Sequence, residues 1–454
     1  MPDQDLRHLE RRLPRYTSYP TAPHFNDAVG AVAYREWLGD VQPKTPVSLY
    51  LHIPFCNELC WFCGCNTRVV RNADIIARYA ERLMDEIDLV ADALPANLPV
   101  GQVHFGGGSP NALGAETLSH VMAKIDERFW LGPDAEVAVE LDPRSTDEAF
   151  VHACASAGIT RASVGVQDLD PVVQRAINRI QPRDMIARLM AQLQTAGVRD
   201  INVDLMYGLP HQTTEGVLNT VAQVVRMQPE RIALFGYAHV PWMKAHQKLI
   251  DEAALPDAAE RVRQFEAATQ ALLAAGYEPV GMDHFALPDS PLGRASAASA
   301  LNRNFQGYTT DQAEVLLGFG ASAIGMLPQG YVQNTPDVRA WESAVESGTL
   351  PVSRGIAVSD DDRLRRAVIE RIMCDMAADL DAIARQGGAP GHDWTPELAA
   401  LRQLEQDGLV DLDGAVLSVR QESRQLVRVV ASVFDRYLDV SDRPDSVPRH
   451  AIAV

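Results

Sequence analysis

The chain has no apolar run approaching the ~18 residues that a bilayer-spanning helix needs, so no membrane span is expected. Met1 to Arg15 is polar and charged and lacks the apolar stretch of a secretory signal, which makes a cytoplasmic location the expectation. Positive charge is also short: 41 Lys and Arg stand against 60 Asp and Glu, a formal net charge of −19. That deficit argues against general nucleic-acid binding, which needs a basic face to displace counterions, and against an anionic membrane surface. An anionic small molecule stays possible, because a local arginine cluster can sit inside an acidic protein. Cysteine is scarce and unevenly placed. Of six, Cys56, Cys60, Cys63 and Cys65 fall within ten residues, while Cys154 and Cys374 stand alone. A disulfide framework would be spread out; thiols packed this closely read as metal ligands.

What is present is an ordinary globular composition, 46% hydrophobic and 22% charged, in 454 residues. That is enough for one large domain and a smaller one. Residues 1–46 carry Pro14, Pro20, Pro23, Pro43 and Pro46 and read as an extended arm around a short helix near Val32–Leu38. Val47–Ile53 alternates like a strand, and Ile75, Ile76, Tyr79, Leu83, Ile87 and Val90 follow at helical spacing. Val100–Phe105, Val137–Leu141, Ala162–Val166, Ile201–Tyr207 and Ile232–Tyr237 are further strands, most of them preceded by a helical stretch such as Ala115–Arg128. About six such units between residues 47 and 282 predict an α/β fold with parallel strands joined by crossover helices. Eight would close a barrel, so six imply a partly open one, with its chemistry at the carboxyl ends of the strands.

Beyond about residue 360 long helical runs are expected at Leu364–Met376, Glu397–Asp407 and Arg424–Tyr437, with a hairpin in Leu409–Val419 around Asp413-Gly414. The parts are then an arm (1–46), a barrel with its extension (47–355) and a small, mainly helical carboxyl-terminal domain (356–454) with a loosely held tail after Asp439. Winged-helix folds share the helix-and-hairpin pattern, but the acidic charge speaks against DNA reading.

The cysteine segment reads Tyr50-Leu-His-Ile-Pro-Phe-Cys56-Asn-Glu-Leu-Cys60-Trp-Phe-Cys63-Gly-Cys65 and follows the first strand. Thiolates are the ligands of iron–sulfur clusters, and three of them on a four-iron cube leave one iron open for chemistry. Structural zinc is the competing reading, but zinc sites pair two close cysteines with a second pair farther on, and none exists here. Cys65 is either a fourth thiolate or a neighbour that does not ligate.

Cys-x3-Cys-x2-Cys is similar to the radical S-adenosylmethionine (SAM) signature. With Cys65 and Tyr50–Phe55, the segment resembles the oxygen-independent coproporphyrinogen III oxidases. The likeness extends through Pro14–Thr21, His104-Phe-Gly-Gly-Gly-Ser-Pro110, Gly165–Asp168, Asp204–Pro210, Tyr237–Pro241, Gly281–Ala286 and Asn302–Thr310. It implies a partial (β/α)6 radical-SAM barrel and a [4Fe–4S] cluster on Cys56, Cys60 and Cys63. Gly106, Gly107 and Gly108 could form an ordinary tight turn. By resemblance Gly107, Gly108 and Ser109, where the family usually has threonine, cradle the methionine end of SAM. Glu140, which alone reads equally as a helix cap, would bind the ribose region. Gln167, Arg179, Asp204 and Ala238 would hold a second SAM, and Tyr50, Phe62 and Ile324 would touch the two nucleosides. Taken singly, Ala238 and Ile324 are core residues by default, and Asp204 a hydrogen-bonded structural acid.

The implied reaction is oxidative decarboxylation of two propionates of coproporphyrinogen III to the vinyl groups of protoporphyrinogen IX, in haem biosynthesis. A 5′-deoxyadenosyl radical would remove hydrogen from a carbon that no general base can deprotonate. The implied partners are the substrate and a one-electron donor such as a flavodoxin or ferredoxin system, acting on a monomer. Arg15, Arg303 and Arg354 are candidates for the substrate's carboxylates, with His52, His239 and His284 possible pocket residues. A related haem-binding chaperone is the alternative; it keeps the three cysteines but typically lacks the fourth cysteine and the long arm.

Overall fold

The computed structural model describes His8 and residues 11–438. Six strands lie where the sequence pattern places them: β1 Val47–Ile53, β2 Pro99–Gly107, β3 Trp130–Leu141, β4 Arg161–Gln167, β5 Asp200–Tyr207 and β6 Arg231–Gly236. All pair in parallel, in chain order. Two short antiparallel strands, β7 Glu278–Val280 and β8 His284–Ala286, finish the β6 edge. On the other side β1 takes a seventh parallel neighbour, β9 Val315–Phe319. Antiparallel β10 Ile324–Leu327, β11 Gly330–Asn334 and β12 Val352–Ala357 follow. The sheet therefore runs β12-β11-β10-β9-β1-β2-β3-β4-β5-β6-β8-β7 and ends at two edges, so the barrel is open, as six units imply. The seventh parallel strand is an addition to the sequence reading.

Register sets which side chains face the interior. Tyr50, His104, Ala138, Arg161 and Asp200 share one row across β1 to β5. Glu140, Ser163, Asn202 and Arg231 form the next, and Gly165, Asp204, Ala233 and His284 a third. The alternate residues of the strands, such as Leu49, Leu51, Val103, Val139 and Val164, are buried apolar groups. Period-two alternation thus turns a polar lining inward and an apolar face towards the surrounding helices.

The helix Ala73–Ala93 ties the seventh strand down. Its buried Glu86 accepts hydrogen bonds from the Gly320 amide (2.6 Å), Asn334 Nδ2 (2.6 Å) and Trp341 Nε1 (3.0 Å). The short helix of the arm spans Ala31–Gly39. Ahead of it Leu13, Tyr16 and Tyr19 join the same apolar core as the barrel and the carboxyl-terminal helices. The arm is fastened by Tyr16 Oη to Asp435 (3.0 Å) and by Arg428 to the Leu13 carbonyl (3.1 Å).

In the carboxyl-terminal part, helices Asp360–Asp375 and Thr395–Gln406 and the hairpin Val410–Asp413/Val416–Val419 agree with the sequence pattern, and Ala377–Asp379 adds a third strand. The long helix expected over Arg424–Tyr437 is broken. A 3-10 turn Gln421–Leu426, one helical turn Val427–Ala431 and a second 3-10 turn Ser432–Phe434 replace it. The segment is rich in β-branched valine, which weakens helix propensity. Its Phe434 carbonyl accepts instead from Arg365 (3.2 Å) and Tyr19 Oη (3.3 Å). The tail after Asp439 lies outside the described residues. Among the described residues no helix is long and apolar enough to cross a membrane.

Candidate active site

The loop after β1 carries Cys56, Cys60, Cys63 and Cys65, all with free thiols. The glycine run after β2 is zipped to it: Gly108 donates to the Ile53 carbonyl and Ser109 to that of Phe55, both at 2.8 Å. A Cβ on Gly108 would lie 2.6 Å from the Phe55 oxygen, so only glycine permits this approach. Gly107, at φ +108, faces the His52 ring, which a Cβ would strike at 2.5 Å.

Other loops clamp the cysteine loop through its backbone. Asn178 Nδ2 donates to the Leu59 carbonyl (2.7 Å), Gln247 Nε2 to that of Phe62 (2.8 Å), and Lys244 Nζ to that of Cys65 (2.8 Å). His246 Nε2 bonds the Cys63 carbonyl at 2.7 Å. None of these four residues stood out in the sequence, since an irregular connection gives no sign of which loop it will meet.

Cys56, Cys60, Cys63 and Cys65 line one pocket with Phe62, Gly107, Gly108, Ser109, Glu140, Gln167, Arg179 and Asp204. Residues that the sequence pattern did not single out line it too, among them Thr67, Asp142, Arg144 and Ser163. Asp142 and Arg144 belong to an Asp-Pro-Arg turn just past β3, a place where strand-end chemistry collects. Arg144 binds Asp142 through Nε and Nη2 (3.0 and 2.7 Å), and that Nη2 also reaches Cys60 Sγ at 3.1 Å. Arg179 Nη1 lies 3.3 Å from the same sulfur and 3.3 Å from Asp142. Its Nη2 donates to the Gly165 carbonyl at 2.5 Å, while its buried Nε has no partner. Burial pushes the Asp142 carboxyl up, but Arg179 and Arg144 outweigh it and hold it below its ordinary value.

Glu140 accepts from His104 Nε2 (3.1 Å) and from the Gly107 amide (3.0 Å). Burial opposes its charge, and those two bonds overcome it, so its carboxyl is held low and stays ionised. Arg161 donates to His104 Nδ1 at 3.3 Å, which fixes the proton of His104 on the nitrogen facing Glu140. Asp204 accepts from Asn202 (2.7 Å) and Ser163 (3.0 Å), yet burial and then the charge of Glu140 raise it to about 6. His52 accepts from Tyr50 Oη at Nδ1 (3.0 Å) and donates from Nε2 to the Asn66 carbonyl (3.0 Å); burial lowers its basicity, so it is neutral.

The remaining expected residues are distributed around this pocket. Tyr50 and Asp204 lie within strands rather than at their ends, whereas His52 is next to the last residue of β1; all three face inward. A Cβ on Gly106 would sit between Glu140 Oε1 (2.9 Å) and the Tyr50 ring (3.1 Å), so those two side chains are neighbours. Ile324 and Arg354 continue the Tyr50 row: Tyr50 pairs with Gly318, Gly318 meets Ile324, and Ile324 pairs with Gln333 and Gln333 with Arg354. Arg354 Nε donates to Gln333 at 2.7 Å. Ala238 follows β6, with its carbonyl accepting from Gln247 at 3.3 Å. Arg15 and Arg303 meet each other, Arg303 Nε donating to the Arg15 carbonyl at 3.3 Å. His239 is tied to Tyr237 Oη (2.8 Å) and Glu252 (3.0 Å), and His284 to Asp283 (2.7 Å).

The donor set fits an iron–sulfur cube better than zinc. A zinc ion needs its donors to share one centre, and among the described residues no three Cys, His, Asp or Glu side chains do so. A cube asks only that three thiolates face one cavity, each on its own iron, and two guanidinium groups beside Cys60 suit thiolate charge.

Residues 50–224 match the radical SAM superfamily. The chain is 49% identical over 437 residues to the oxygen-independent coproporphyrinogen III oxidase of Bradyrhizobium diazoefficiens, covering 96% of this chain and 97% of that one. Its identity to the enzyme of the same name from Paracoccus denitrificans is 41%, over 94% and 95% of the two chains. The solved structure of the Escherichia coli coproporphyrinogen III oxidase, described as a radical SAM enzyme, superimposes with a TM-score of 0.89 at 37% identity, over 94% of this chain and 100% of that one. Open barrel and thiol-lined pocket together define a radical SAM protein, a class that carries a [4Fe–4S] cluster and uses SAM. Within that class, the chain belongs to the oxygen-independent coproporphyrinogen III oxidases.

Proposed function

We infer that this protein converts two propionates of coproporphyrinogen III to vinyl groups, giving protoporphyrinogen IX without oxygen. The observation that carries the reading is the single pocket in which three thiols meet Gly107-Gly108-Ser109, Glu140 and the pair Arg179 and Asp204. Cys56, Cys60 and Cys63 would hold the cluster, and Cys65 would stand beside it. When bound, cluster and SAM together supply a radical that removes a hydrogen atom from the substrate. The protein's own residues bind, orient and keep out water. Gly107 and Gly108 let backbone approach the methionine end of SAM, and Ser109 offers it a hydroxyl. Ionised Glu140, its Oε atoms set by His104 and Gly107, accepts from ribose hydroxyls. His52 is a neutral, doubly bonded ring that positions Tyr50.

A second SAM is part of the proposal. Gln167, Arg179 and Asp204 share the pocket, and Gln167 is held at φ +65, a strained conformation of the kind that collects at functional sites. Ala238 would border it, while Phe62, Tyr50 and Ile324 would meet the nucleosides. Arg15, Arg303 and Arg354 would meet substrate carboxylates. The reading also includes a monomer fed by a one-electron donor of the flavodoxin or ferredoxin type, in a reducing cytoplasm that keeps the thiols free. We assign arm, barrel with extension, and carboxyl-terminal part to residues 1–46, 47–355 and 356–454.

The test is anaerobic incubation with coproporphyrinogen III, SAM and a low-potential reductant, followed by oxidation and chromatography. Protoporphyrin is expected. Its absence together with tight haem binding would replace the enzyme with a haem carrier.

A further inference from the structure

The net-acidic chain gathers cations at one place beside the pocket, with Arg261 buried, Arg303 and Arg424 half-buried and Arg15 exposed at the rim. Arg15 comes from the arm, Arg261 from the helix Ala258–Ala274, Arg303 from the Asn302–Asn304 strand and Arg424 from the turn Gln421–Leu426. Arg15 Nη2 donates to the Gly236 carbonyl (3.3 Å) and Arg261 Nη2 to that of Tyr237 (2.9 Å), at the carboxyl end of β6. Arg303 stacks over Tyr308 at 4.4 Å, and the Tyr308 ring stands edge-on to His284 at 5.1 Å. Arg424 lies close to the neutral Tyr308 hydroxyl and to the Asp283 carboxylate. His284 shares the inward row of Asp204, which lines the thiol pocket, so the two places adjoin.

Among the described residues none of these four guanidinium groups has a carboxylate within ion-pair distance: Asp283 is already bonded to His284 at 2.7 Å, and Glu370 accepts from the Arg303 backbone amide at 3.3 Å rather than from its guanidinium. Arg261 Nε, Arg303 Nη1 and Arg424 Nε are buried without any partner, and Arg261 as a whole is 8% exposed. Burial pushes Asp283 up, but His284 and then Arg303 and Arg15 hold it down at about 2. An uncompensated buried charge is costly, so this recess is built for a polyanion.

Resting on the function inferred above, we propose that Arg261, Arg303 and Arg424, with Arg15, grip the two propionates of the substrate that are retained in the product. A propionate that reacts must give up its carboxylate as neutral carbon dioxide. An arginine pair on that group would stabilise the ground state over the transition state and slow the step. On the propionates that stay, the same pairs anchor the macrocycle equally before and after reaction and leave the reacting edge turned to the thiol pocket.

The probe is mesoporphyrin IX, an air-stable ring that keeps only those two propionates, alongside coproporphyrin III, each titrated by fluorescence quenching. Both should bind the wild-type holoprotein, with Kd values within about threefold of each other. Arg303→Gln and Arg424→Gln should each weaken both ligands by about tenfold, the worth of a lost charge-assisted contact. Arg303→Lys and Arg424→Lys should recover part of it, with cluster absorbance unchanged and KM raised more than kcat is lowered. Variants that bind mesoporphyrin IX within twofold of wild type overturn the proposal, as does a wild type that binds coproporphyrin III but not mesoporphyrin IX. The wild-type comparison stands even if a variant fails to fold. Failure of wild type to make protoporphyrinogen IX would instead refute the enzymatic reading.

Discussion

Nη2 of Arg144 lies 3.1 Å from Sγ of Cys60. Asp142, bound to the same nitrogen at 2.7 Å, holds it there. A cation bonded to a ligand sulfur favours the reduced cluster, since hydrogen bonds to the sulfurs and net charge set cluster potentials. Arg144→Met should retain the cluster and lower its midpoint potential by roughly 60 mV, the one-electron equivalent of one charge-assisted bond. A redox titration followed by electron paramagnetic resonance reads this directly. An unshifted midpoint would leave Arg144 a purely structural partner of Asp142.

Cys65 lines the same pocket as the three candidate ligands, and its amide donates to Cys63 Sγ at 3.4 Å. The backbone bond survives a side-chain change. Cys65→Ser should therefore keep the full [4Fe–4S] absorbance after anaerobic reconstitution, whereas Cys56→Ser, Cys60→Ser and Cys63→Ser should each lose it. Loss of iron from Cys65→Ser would make Cys65 a ligand.

Glu140 is fixed by a histidine and an amide that both donate to it. Glu140→Gln keeps the shape but removes the charge and one acceptor. SAM binding, measured by anaerobic calorimetry, should weaken by about tenfold or more, with cluster content unchanged. Equal affinity would move the ribose contact elsewhere.

Glu86 makes a prediction away from the site. Burial raises its carboxyl from 4.5 to about 7 despite three donors around it. Folded protein therefore keeps the proton while the unfolded chain loses it. The stability this group contributes is complete below pH 4.5, falls as pH rises and is gone above about 7. Glu86→Gln has no such titration; with its carbonyl oxygen kept for Gly320 and Trp341, its NH2 is turned towards the Nδ2 donor of Asn334. In denaturant unfolding the variant should be the less stable at pH 5. The gap should narrow by on the order of 3 kcal/mol by pH 8. A gap independent of pH would contradict a neutral Glu86.

The six parallel strands were legible because each contains a short apolar or β-branched run, most of them preceded by a helical period. Val315–Phe319 has the same composition, but it pairs with Val47–Ile53 across most of the chain, and no local pattern encodes a partner that distant. The cysteine loop and glycine run announced themselves by residue type and spacing. Arg144 did not, because an Asp-Pro-Arg turn has many uses and only the fold brings it to Cys60. The recess of Arg261 and Arg424 was hidden for the same reason, its members coming from four separate segments. Ile324 looks like a core residue in the sequence and Arg354 stood only as a candidate for a substrate carboxylate; strand register alone reveals that they share the inward row of Tyr50.

The central claim is a cluster held by three thiolates with one iron left free for SAM. Mössbauer spectroscopy of the anaerobically reconstituted protein, before and after SAM is added, tests it most directly. One iron in four should change its parameters when SAM binds, while the other three keep those of thiolate-ligated sites. Four irons that ignore SAM, or a spectrum that demands a fourth thiolate, would contradict the account.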